Sequence, residues 1–451
     1  MQTKLNFGDN DMMSNGLSYG DTDSVRDINS ISALDTASLP RHRWYHLKEA
    51  FSPNIVARAI EDSKCGQDDL ILDPFSGSGT VPLASALNGM NAIGLEVNPF
   101  LAFVSKTKLQ HCEPNTLDRN LKRIISGIQE EAQSSLETFS TFSKPGGAKK
   151  WLFNQEVLRA FEGGWRATVS MYRPVRSIIR LCLIGAAMDV CNATKDGKCL
   201  RYRRDWETLD FGKKHFIDSL NRRTTEIKKD LKETPLRAPE ASIYLADSRS
   251  MVRSNILSEK FKLCITSPPY LNSFDYTDVY RPELFLGKFV QSMKELRALR
   301  QRTIRSHVQA KWVDPKETDF GHNFAECFAE IEKHIDSLWN KRIPAMIRAY
   351  FEDMRNVLVG LKRYAKTDAS VWIVVSTSAY AGVEIPVDLI IAEVGTQAGW
   401  HLREVSVMRY LRRVPVQQWD ELSKRSQEQE QRKGPYLRES IVILDAKPHG
   451  K

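Results

Sequence analysis

The sequence has no long apolar run, and none of its apolar stretches approaches the roughly 20 residues that a membrane-spanning helix needs. The first residues also lack a basic segment followed by an apolar core, which is the pattern of a secretory signal peptide. These absences argue against a membrane protein and against a secreted protein. We therefore expect a cytoplasmic protein with no membrane partner.

Cysteine is scarce, and its spacing follows no metal-binding or disulfide pattern. The chain has seven cysteines, an odd number, and they form no Cys-x-x-Cys pair. Disulfide frameworks and zinc sites both depend on paired or regularly spaced thiols. We expect free thiols and no metal site.

The charge balance is mildly positive, with a net charge of +9 over 451 residues. Such an excess suits a polyanionic partner, but net charge alone does not define a binding site. A chain of this length can bury a full hydrophobic core. We expect one large domain with insertions, or two domains.

The order of apolar segments predicts an α/β fold. The first two strands lie in DLILDPF and NAIGLEVNP, end at Asp73 and Glu96, and are each followed by a helical segment. Further strands are expected in ASIYLADS, KLCITSPPY, ASVWIVVS, LREVSVMRYL and RESIVIL. Strands separated by helices predict a mostly parallel sheet, here of seven strands, with helices on both faces.

The segments of the chain differ in character. Residues 1–40 are polar without periodicity and predict a disordered tail. Residues 41–112 and 241–451 carry the strand and helix alternation, with a helical insertion at about 282–345 in the second part. Residues 113–240 form a helical and basic insertion. The sheet is therefore expected to be assembled from two separated parts of the chain.

The turn DPFSGSGT lies between the first strand and its helix. Gly77 and Gly79 let the backbone approach a ligand, and the helix start offers free amides, although tight helix packing also selects glycine. Pro82 follows Gly79 by three positions, and no Walker lysine is present. The turn therefore matches neither a dinucleotide fingerprint nor a P-loop.

Acidic residues follow three successive strands of the expected sheet. They are Asp73, Glu96 and Asp247, and such folds bind ligands at this edge of the sheet. Glu96 can accept both hydroxyls of a ribose, and Asp247 can meet an adenine amino group. Each acid can instead be a helix N-cap. Upstream, Ser52 is expected to cap a helix that begins at Pro53, with or without a bound carboxylate.

The stretch LCITSPPY ends a strand in a stiff corner. Pro268 and Pro269 fix two backbone dihedral angles and remove two amide donors, so the backbone is rigid and extended. Ser267 lies on one side of the two prolines and Tyr270 on the other. The alternative is a plain strand-terminating turn with a packed tyrosine.

The two motifs together, DPFSGSGT followed by TSPPY, resemble those of the S-adenosylmethionine-dependent DNA amino-methyltransferases of the N4-cytosine type. The similarity spans about residues 44–110, 240–280 and 368–445, and RWYHLKEAFSP is similar to the methionine-binding segment of the family. The resemblance implies a Rossmann-like class I methyltransferase fold, S-adenosylmethionine as cofactor and double-stranded DNA as partner. It assigns to the cofactor Ser52, Asp73, Phe75, Gly77, Gly79, Thr80, Glu96, Asn98 and Asp247.

The resemblance also gives the corner a chemical role. An exocyclic amino nitrogen is a poor nucleophile because its lone pair is delocalised into the ring. The Ser267 hydroxyl and the Pro268 carbonyl can accept its two N–H groups, while Pro269 keeps the corner rigid and Tyr270 stacks on a flipped base. Attack at carbon 5 of cytosine would need a cysteine after proline, and no Pro-Cys dipeptide occurs.

Within the family, serine at the first motif position favours N4 of cytosine, whereas aspartate or asparagine usually accompanies N6 of adenine. The alternatives are N6-adenine methylation of DNA, methylation of an exocyclic amine in RNA, and a cofactor-binding recognition subunit without catalysis. The enzyme is expected to act alone or beside a restriction endonuclease or another defence system, as a monomer or a dimer.

Two basic stretches are candidates for DNA contact. KDGKCLRYRRDW in the first insertion offers Lys198, Arg201, Arg203 and Arg204 around Tyr202 as a backbone clamp, or else as a solvated helix face. The arginines of ELRALRQRTIRSH are expected to be ordinary surface charges. NSFDYTDVY, directly after the corner, is expected to shape the base pocket.

Overall fold

The computed structural model describes residues 36–196, 199–238, 240–253, 255–411 and 437–448. Most of the tail expected over residues 1–40 therefore lies outside the described residues. Within the described ranges no helix is both long enough and apolar enough to cross a membrane. All seven cysteines are free thiols.

The secondary structure elements are numbered in chain order. The strands are β1 (Leu70–Asp73), β2 (Asn91–Glu96), β3 (Ala193–Lys195), β4 (Leu200–Tyr202), β5 (Ala241–Leu245), β6 (Phe261–Thr266), β7 (Ala365–Ser376), β8 (Ser378–Tyr380), β9 (Val383–Ile385), β10 (His401–Tyr410) and β11 (Arg438–Asp445). The α-helices are α1 (Pro53–Asp62), α2 (Thr80–Leu87), α3 (Pro99–Lys108), α4 (Pro114–Glu130), α5 (Gln155–Ala167), α6 (Arg173–Asp189), α7 (Lys213–Glu233), α8 (Tyr276–Val279), α9 (Arg281–Leu286), α10 (Met293–Arg300), α11 (His322–Lys333), α12 (Ile343–Tyr364) and α13 (Val387–Gln397).

Seven strands form one sheet in the order β10-β11-β7-β6-β1-β2-β5. Strands β5, β2, β1, β6 and β7 run parallel to one another, and β11 runs antiparallel to both β7 and β10. The carboxyl ends of the parallel strands therefore meet at one edge, with β1 in the middle. The predicted α/β fold, with a mostly parallel seven-stranded sheet, is confirmed.

Both faces of the sheet are covered, because alternate side chains of each strand point to opposite faces. On β1, Ile71 belongs to a core that also contains side chains of α1 and α2, whereas Leu72 belongs to the core formed with α12 and α13. On β7, Trp372 and Ile373 divide between the same two cores. Strands buried on both faces are continuous apolar runs in the sequence, which is why they were recognisable.

Helices α4 to α7 of the first insertion build a third core, which also takes in side chains of α3, α9 and α10. A buried carboxylate joins this insertion to the segment before α1. Asp230 on α7 accepts hydrogen bonds from the Arg41 amide at 2.8 Å and from the Trp44 indole N–H at 2.9 Å. The insertion is thereby attached to the start of the α/β fold.

A second buried carboxylate holds the segment that follows Trp44. Glu283 on α9 is fully buried and accepts hydrogen bonds from the Tyr45 hydroxyl, at 2.5 Å, and from the Lys195 ammonium group on β3. The same ammonium group lies 3.8 Å from the centre of the Tyr280 ring, and the Tyr280 hydroxyl donates to Glu49 at 3.0 Å. These contacts position the 46–51 segment, which forms one wall of the cavity described next.

Candidate active site

A cavity of about 660 Å³ opens beside the carboxyl ends of β1, β2 and β6. Its volume lies within the usual range for small-molecule sites. The turn after β1 and the residues after β2 line one part, and the corner after β6 lines another. The sequence-predicted residues on its wall are Phe75, Gly77, Thr80, Glu96, Asn98, Asp247, Ser267, Pro268, Pro269 and Tyr270. One cavity therefore joins the glycine turn to the proline corner.

Asp73 lies at the end of β1 behind the cavity wall and is 1% exposed. Its Oδ1 accepts hydrogen bonds from the Phe75 amide at 3.0 Å and from the Thr266 hydroxyl at 2.8 Å. Burial raises the pKa of Asp73 to about 7, although these two hydrogen bonds favour the charged form. The carboxyl group thus links the glycine turn to the strand that carries the corner.

Glu96, at the end of β2, holds the glycine turn in place. Its Oε2 accepts the Gly77 amide at 2.8 Å, and its Oε1 accepts the Asn98 amide at 2.7 Å. Burial raises the pKa of Glu96 to about 7, against the opposing effect of these amides. The side chain also lines the cavity, where a carboxylate can accept hydroxyl groups of a bound ligand.

Asn98 combines a cap with an unused donor. Its Oδ1 accepts the Phe100 amide at 3.0 Å and so caps α3. Its Nδ2 is buried and has no hydrogen-bond partner among the described residues, and the residue lines the cavity. A buried N–H group without a partner is costly, so a ligand that accepts this hydrogen bond would be favoured.

Glycine is present at the two positions of the turn for different structural reasons. Gly79 has a φ of +83°, and a Cβ there would lie 2.1 Å from the Ser105 hydroxyl, so close packing of α2 on α3 requires it. Gly77 has a φ of +50°, and a Cβ there would meet no atom closer than 3.9 Å. Gly77 lines the cavity and Gly79 does not. The packing explanation therefore applies to Gly79, and ligand approach to Gly77.

Two further residues expected to bind cofactor, besides Asn98, act as helix caps. The Ser52 hydroxyl accepts the Asn54 amide at 3.3 Å and does not line the cavity. Asp247 lines the cavity, but its carboxylate caps a short 3₁₀ helix through the Arg249 amide at 3.0 Å and pairs with the Arg249 guanidinium at 2.7 Å. The expectation that Asp247 directly ends a strand was wrong, because β5 ends at Leu245.

Side chains of β10 and β11 hold the corner in place. The Tyr270 hydroxyl donates to Glu439 on β11 at 2.6 Å, and Arg409 on β10 donates to the other oxygen of Glu439 at 2.7 Å. Burial and Glu439 together raise the pKa of Tyr270 well above its ordinary value, while hydrogen bonding with Ser267 has the opposite effect. Tyr270 is therefore a neutral ring in a fixed position.

Residues 271–307 complete the wall opposite the glycine turn. As expected from NSFDYTDVY, Asn272, Phe274 and Tyr276 line the cavity. Sequence reasoning did not find a second contribution: Thr303, Ile304, Ser306 and His307 also line the cavity. Arg302 also lines this part of the cavity.

The description of the arginines of ELRALRQRTIRSH as ordinary surface charges was wrong for two of them. Arg300 forms an ion pair with Asp275 at 2.6 Å. Arg305 is buried and forms an ion pair with Asp353 at 2.7 Å. Both fix the segment in place.

Comparison with known proteins adds an independent line of evidence. Residues 26–106 match the family model N6_N4_Mtase, described as DNA methylase. The Type II methyltransferase M.BsoBI of Geobacillus stearothermophilus is 29% identical over 407 residues, covering 80% of this chain and 78% of that protein. The Type II methyltransferase M.AvaI of Anabaena variabilis is 26% identical over 427 residues, covering 84% and 83%. These matches support a DNA methyltransferase of the N4/N6 type.

Among solved structures, the rRNA methyltransferase aviRa from Streptomyces viridochromogenes aligns with a TM-score of 0.30 and 10% identity, over 89% of each chain.

Methyltransferases of the N4/N6 type use S-adenosylmethionine, and the cavity fits this cofactor in three respects. Glu96 presents a carboxylate, Asn98 presents an unpartnered amide, and Gly77 leaves the backbone open to a ligand.

The proposed DNA clamp lies on the β3–β4 hairpin and the turn after it, away from the cavity wall. Lys198 lies outside the described residues. The Arg201 and Arg204 side chains are 74% and 96% exposed. Arg203 instead donates to the Cys191 carbonyl at 2.7 Å, and the Tyr202 ring packs 5.2 Å from that of Trp206. Within the described part of the clamp, Arg201 and Arg204 are the exposed arginines, and Arg201 forms an ion pair with Asp196 at 2.6 Å that a phosphate would have to replace. No group of three or more His, Cys, Asp or Glu side chains in the described residues is placed to hold a metal.

Proposed function

We propose that this protein methylates the exocyclic N4 amine of cytosine in double-stranded DNA, with S-adenosylmethionine as the methyl donor. The observation that carries the proposal is that Ser267 and Tyr270 line the same cavity as Gly77, Glu96 and Asn98. A methyl donor and a target base bound in these two parts would be brought into contact, as direct transfer requires.

The corner residues would activate the amine. The Ser267 hydroxyl and the Pro268 carbonyl accept one N–H each, which draws the nitrogen toward a tetrahedral geometry and frees its lone pair. Pro269 limits the backbone motion that would misplace these acceptors. Tyr270, held by Glu439, offers a ring face for stacking on a flipped base. The cofactor supplies the methyl group when it is bound.

The choice of base rests on the first motif position. Serine precedes the two prolines here, which favours cytosine N4 in the family that the motifs resemble. The family model that matches covers both N6 and N4 enzymes, so N6 of adenine is the second candidate. The mechanism of amine activation is the same for both bases.

The proposal extends to the biological setting and to DNA recognition. Both relatives named above are Type II methyltransferases, and the alignments cover about four fifths of each protein. We therefore assign this chain the modification role beside a restriction endonuclease. The 113–240 insertion is the proposed recognition region, with Arg201 and Arg204 on its exposed hairpin as candidates for phosphate contact.

The test is transfer of a labelled methyl group from S-adenosylmethionine to DNA, with the product nucleosides separated by mass spectrometry. We expect N4-methylcytosine from the wild-type protein and none from Ser267→Ala. The matched control is Ser258→Ala, the same substitution at an exposed position before β6 and outside the insertion, which should leave transfer unchanged. Thermal unfolding of each variant checks that it is folded.

The alternative outcomes separate the hypotheses. N6-methyladenine as product would retain the amine-activation mechanism and overturn the base assignment. Transfer to RNA but not to DNA would overturn the DNA substrate. Binding of S-adenosylmethionine and DNA without transfer would indicate a recognition subunit without catalysis.

A further inference from the structure

The cavity wall contains a buried histidine that the proposed mechanism does not use. His307 is 2% exposed and lines the same cavity as Ser267. Neither of its ring nitrogens has a hydrogen-bond partner among the described residues. Gln309 lies near enough to favour the charged ring, but no hydrogen bond of normal geometry joins the two side chains. A buried imidazole with two free nitrogens is unusual, because buried polar groups normally have partners.

The His307 ring is held firmly at this position. The Trp312 indole N–H donates to the His307 carbonyl at 2.8 Å, and the two rings meet edge to face with centres 5.0 Å apart. One residue earlier, the Ser306 carbonyl accepts the Ser273 amide at 3.0 Å, which joins this segment to the chain just after the corner. The side chain therefore occupies a defined place in the wall next to the base-pocket residues.

The surroundings of His307 favour the neutral ring. Burial is the largest effect and lowers its pKa. Among the charged neighbours, Asp275 raises this pKa and Arg300 lowers it, and these two groups are paired with each other at 2.6 Å. A neutral imidazole has one N–H donor and one acceptor nitrogen.

We infer that His307 positions the flipped base by donating its ring N–H to the endocyclic nitrogen beside the amino-bearing carbon. That nitrogen is N3 in cytosine and N1 in adenine, and in both bases it is an acceptor. In thymine and guanine the corresponding nitrogen carries a hydrogen, so the same contact there would need the ring nitrogen that has no proton. The corner would accept hydrogen bonds from the amine, and His307 would donate one to the ring nitrogen beside the amino-bearing carbon. This inference rests on the proposed function, because it needs a base in the cavity.

The test combines a change in the protein with a change in the base. The DNA is a duplex with the site identified by the mass-spectrometric experiment, in which the target is either the natural base or its deaza analogue. The analogue is 3-deazacytosine, or 1-deazaadenine if adenine is the target. It keeps the amine and lacks the acceptor nitrogen. Methyl transfer is measured under single-turnover conditions for the wild-type protein and for His307→Phe.

We expect about a tenfold loss of the single-turnover rate constant when either partner of this hydrogen bond is removed, and little further loss when both are removed. Any change in the intrinsic reactivity of the amine in the analogue affects both proteins equally and cancels in the ratio. His307→Gln, which keeps an N–H donor, should recover part of the loss. His111→Phe, the same substitution at an exposed position, should behave like the wild type.

Three results decide between the possibilities. Equal penalties for the analogue with the wild-type protein and with folded His307→Phe would overturn the inference and leave the proposed function intact. If His307→Phe does not fold, as shown by thermal unfolding, the same comparison is made with His307→Leu, which also lacks a donor. A reduced penalty is expected with this variant, and an unchanged penalty would overturn the inference. Absence of methyl transfer to DNA by the wild-type protein would overturn the proposed function, and this inference with it.

Discussion

Replacing Asp73 by asparagine should change the pH dependence of stability, because Asp73 is a buried acid whose folded pKa is raised. Its pKa is about 7 in the folded protein, through burial, against an ordinary value of 3.8. The folded state therefore keeps a proton that the unfolded state releases. The stability that this acid contributes is fully present below pH 4 and is lost as the pH rises through 7.

The magnitude follows from the size of the shift. Each pH unit between the two pKa values is equivalent to 1.36 kcal/mol, so a shift of about 3 units amounts to about 4 kcal/mol. Most of this, about 3 kcal/mol, falls between pH 5 and pH 8. Asparagine keeps an oxygen that can accept from the Phe75 amide and the Thr266 hydroxyl, but it does not titrate.

The assay is urea unfolding of the wild-type protein and of Asp73→Asn at four pH values from 5 to 8. We expect the variant to gain about 3 kcal/mol relative to the wild type over this range. Thr266→Val is the companion variant. It removes a donor that favours the charged acid, so the loss of stability should extend to higher pH than in the wild type. A difference between wild type and Asp73→Asn that does not change with pH would show that the carboxyl group has an ordinary pKa.

Three further predictions concern single residues of the site and of the insertion. Gly79→Ala should lower the free energy of unfolding by about 1–3 kcal/mol, because α3 leaves no room for its Cβ. Gly77→Ala should cost less stability and should mainly weaken S-adenosylmethionine binding. Urea unfolding measures the first effect and calorimetric titration the second. Asn98→Asp keeps the cap of α3 but removes the free N–H donor. Cofactor affinity should therefore fall about tenfold, while the melting temperature changes little. Equal affinity of the variant and the wild type would contradict the donor role of Asn98. Arg204→Ala should weaken DNA binding, measured by fluorescence anisotropy, and should reduce its salt dependence without altering stability. Arg203→Ala should lower the free energy of unfolding by about 1 kcal/mol, measured by urea unfolding.

The features that were predictable from sequence are those encoded by neighbouring residues. Strand ends at Asp73 and Glu96, the cap at Ser52 and the corner at Ser267–Tyr270 each depend on a few consecutive side chains and on the fixed dihedral angles of proline. The mostly parallel sheet followed from the spacing of apolar strands. Phe75, Glu96 and Asn98 were placed near the cofactor by motif resemblance, and all three line the cavity.

The features that were not predictable depend on residues distant in the chain. Glu439 and Arg409 reach Tyr270 because β11 lies antiparallel beside β7, and no local pattern marks that pairing. His307 reaches the cavity through a segment that follows the corner by more than thirty residues.

The sequence by itself determined the sheet, its carboxyl edge and the two motifs that meet there, because backbone propensity, apolar periodicity and proline geometry act over a few residues. The tertiary structure decided which side chains share the cavity, which acids become buried beside one another, and which arginines are committed to ion pairs. These properties depend on desolvation and on distances between segments that only the folded chain brings together. The physical reason is that hydrogen bonds and charges are specified by position in space, whereas the local pattern specifies only the elements on which they lie.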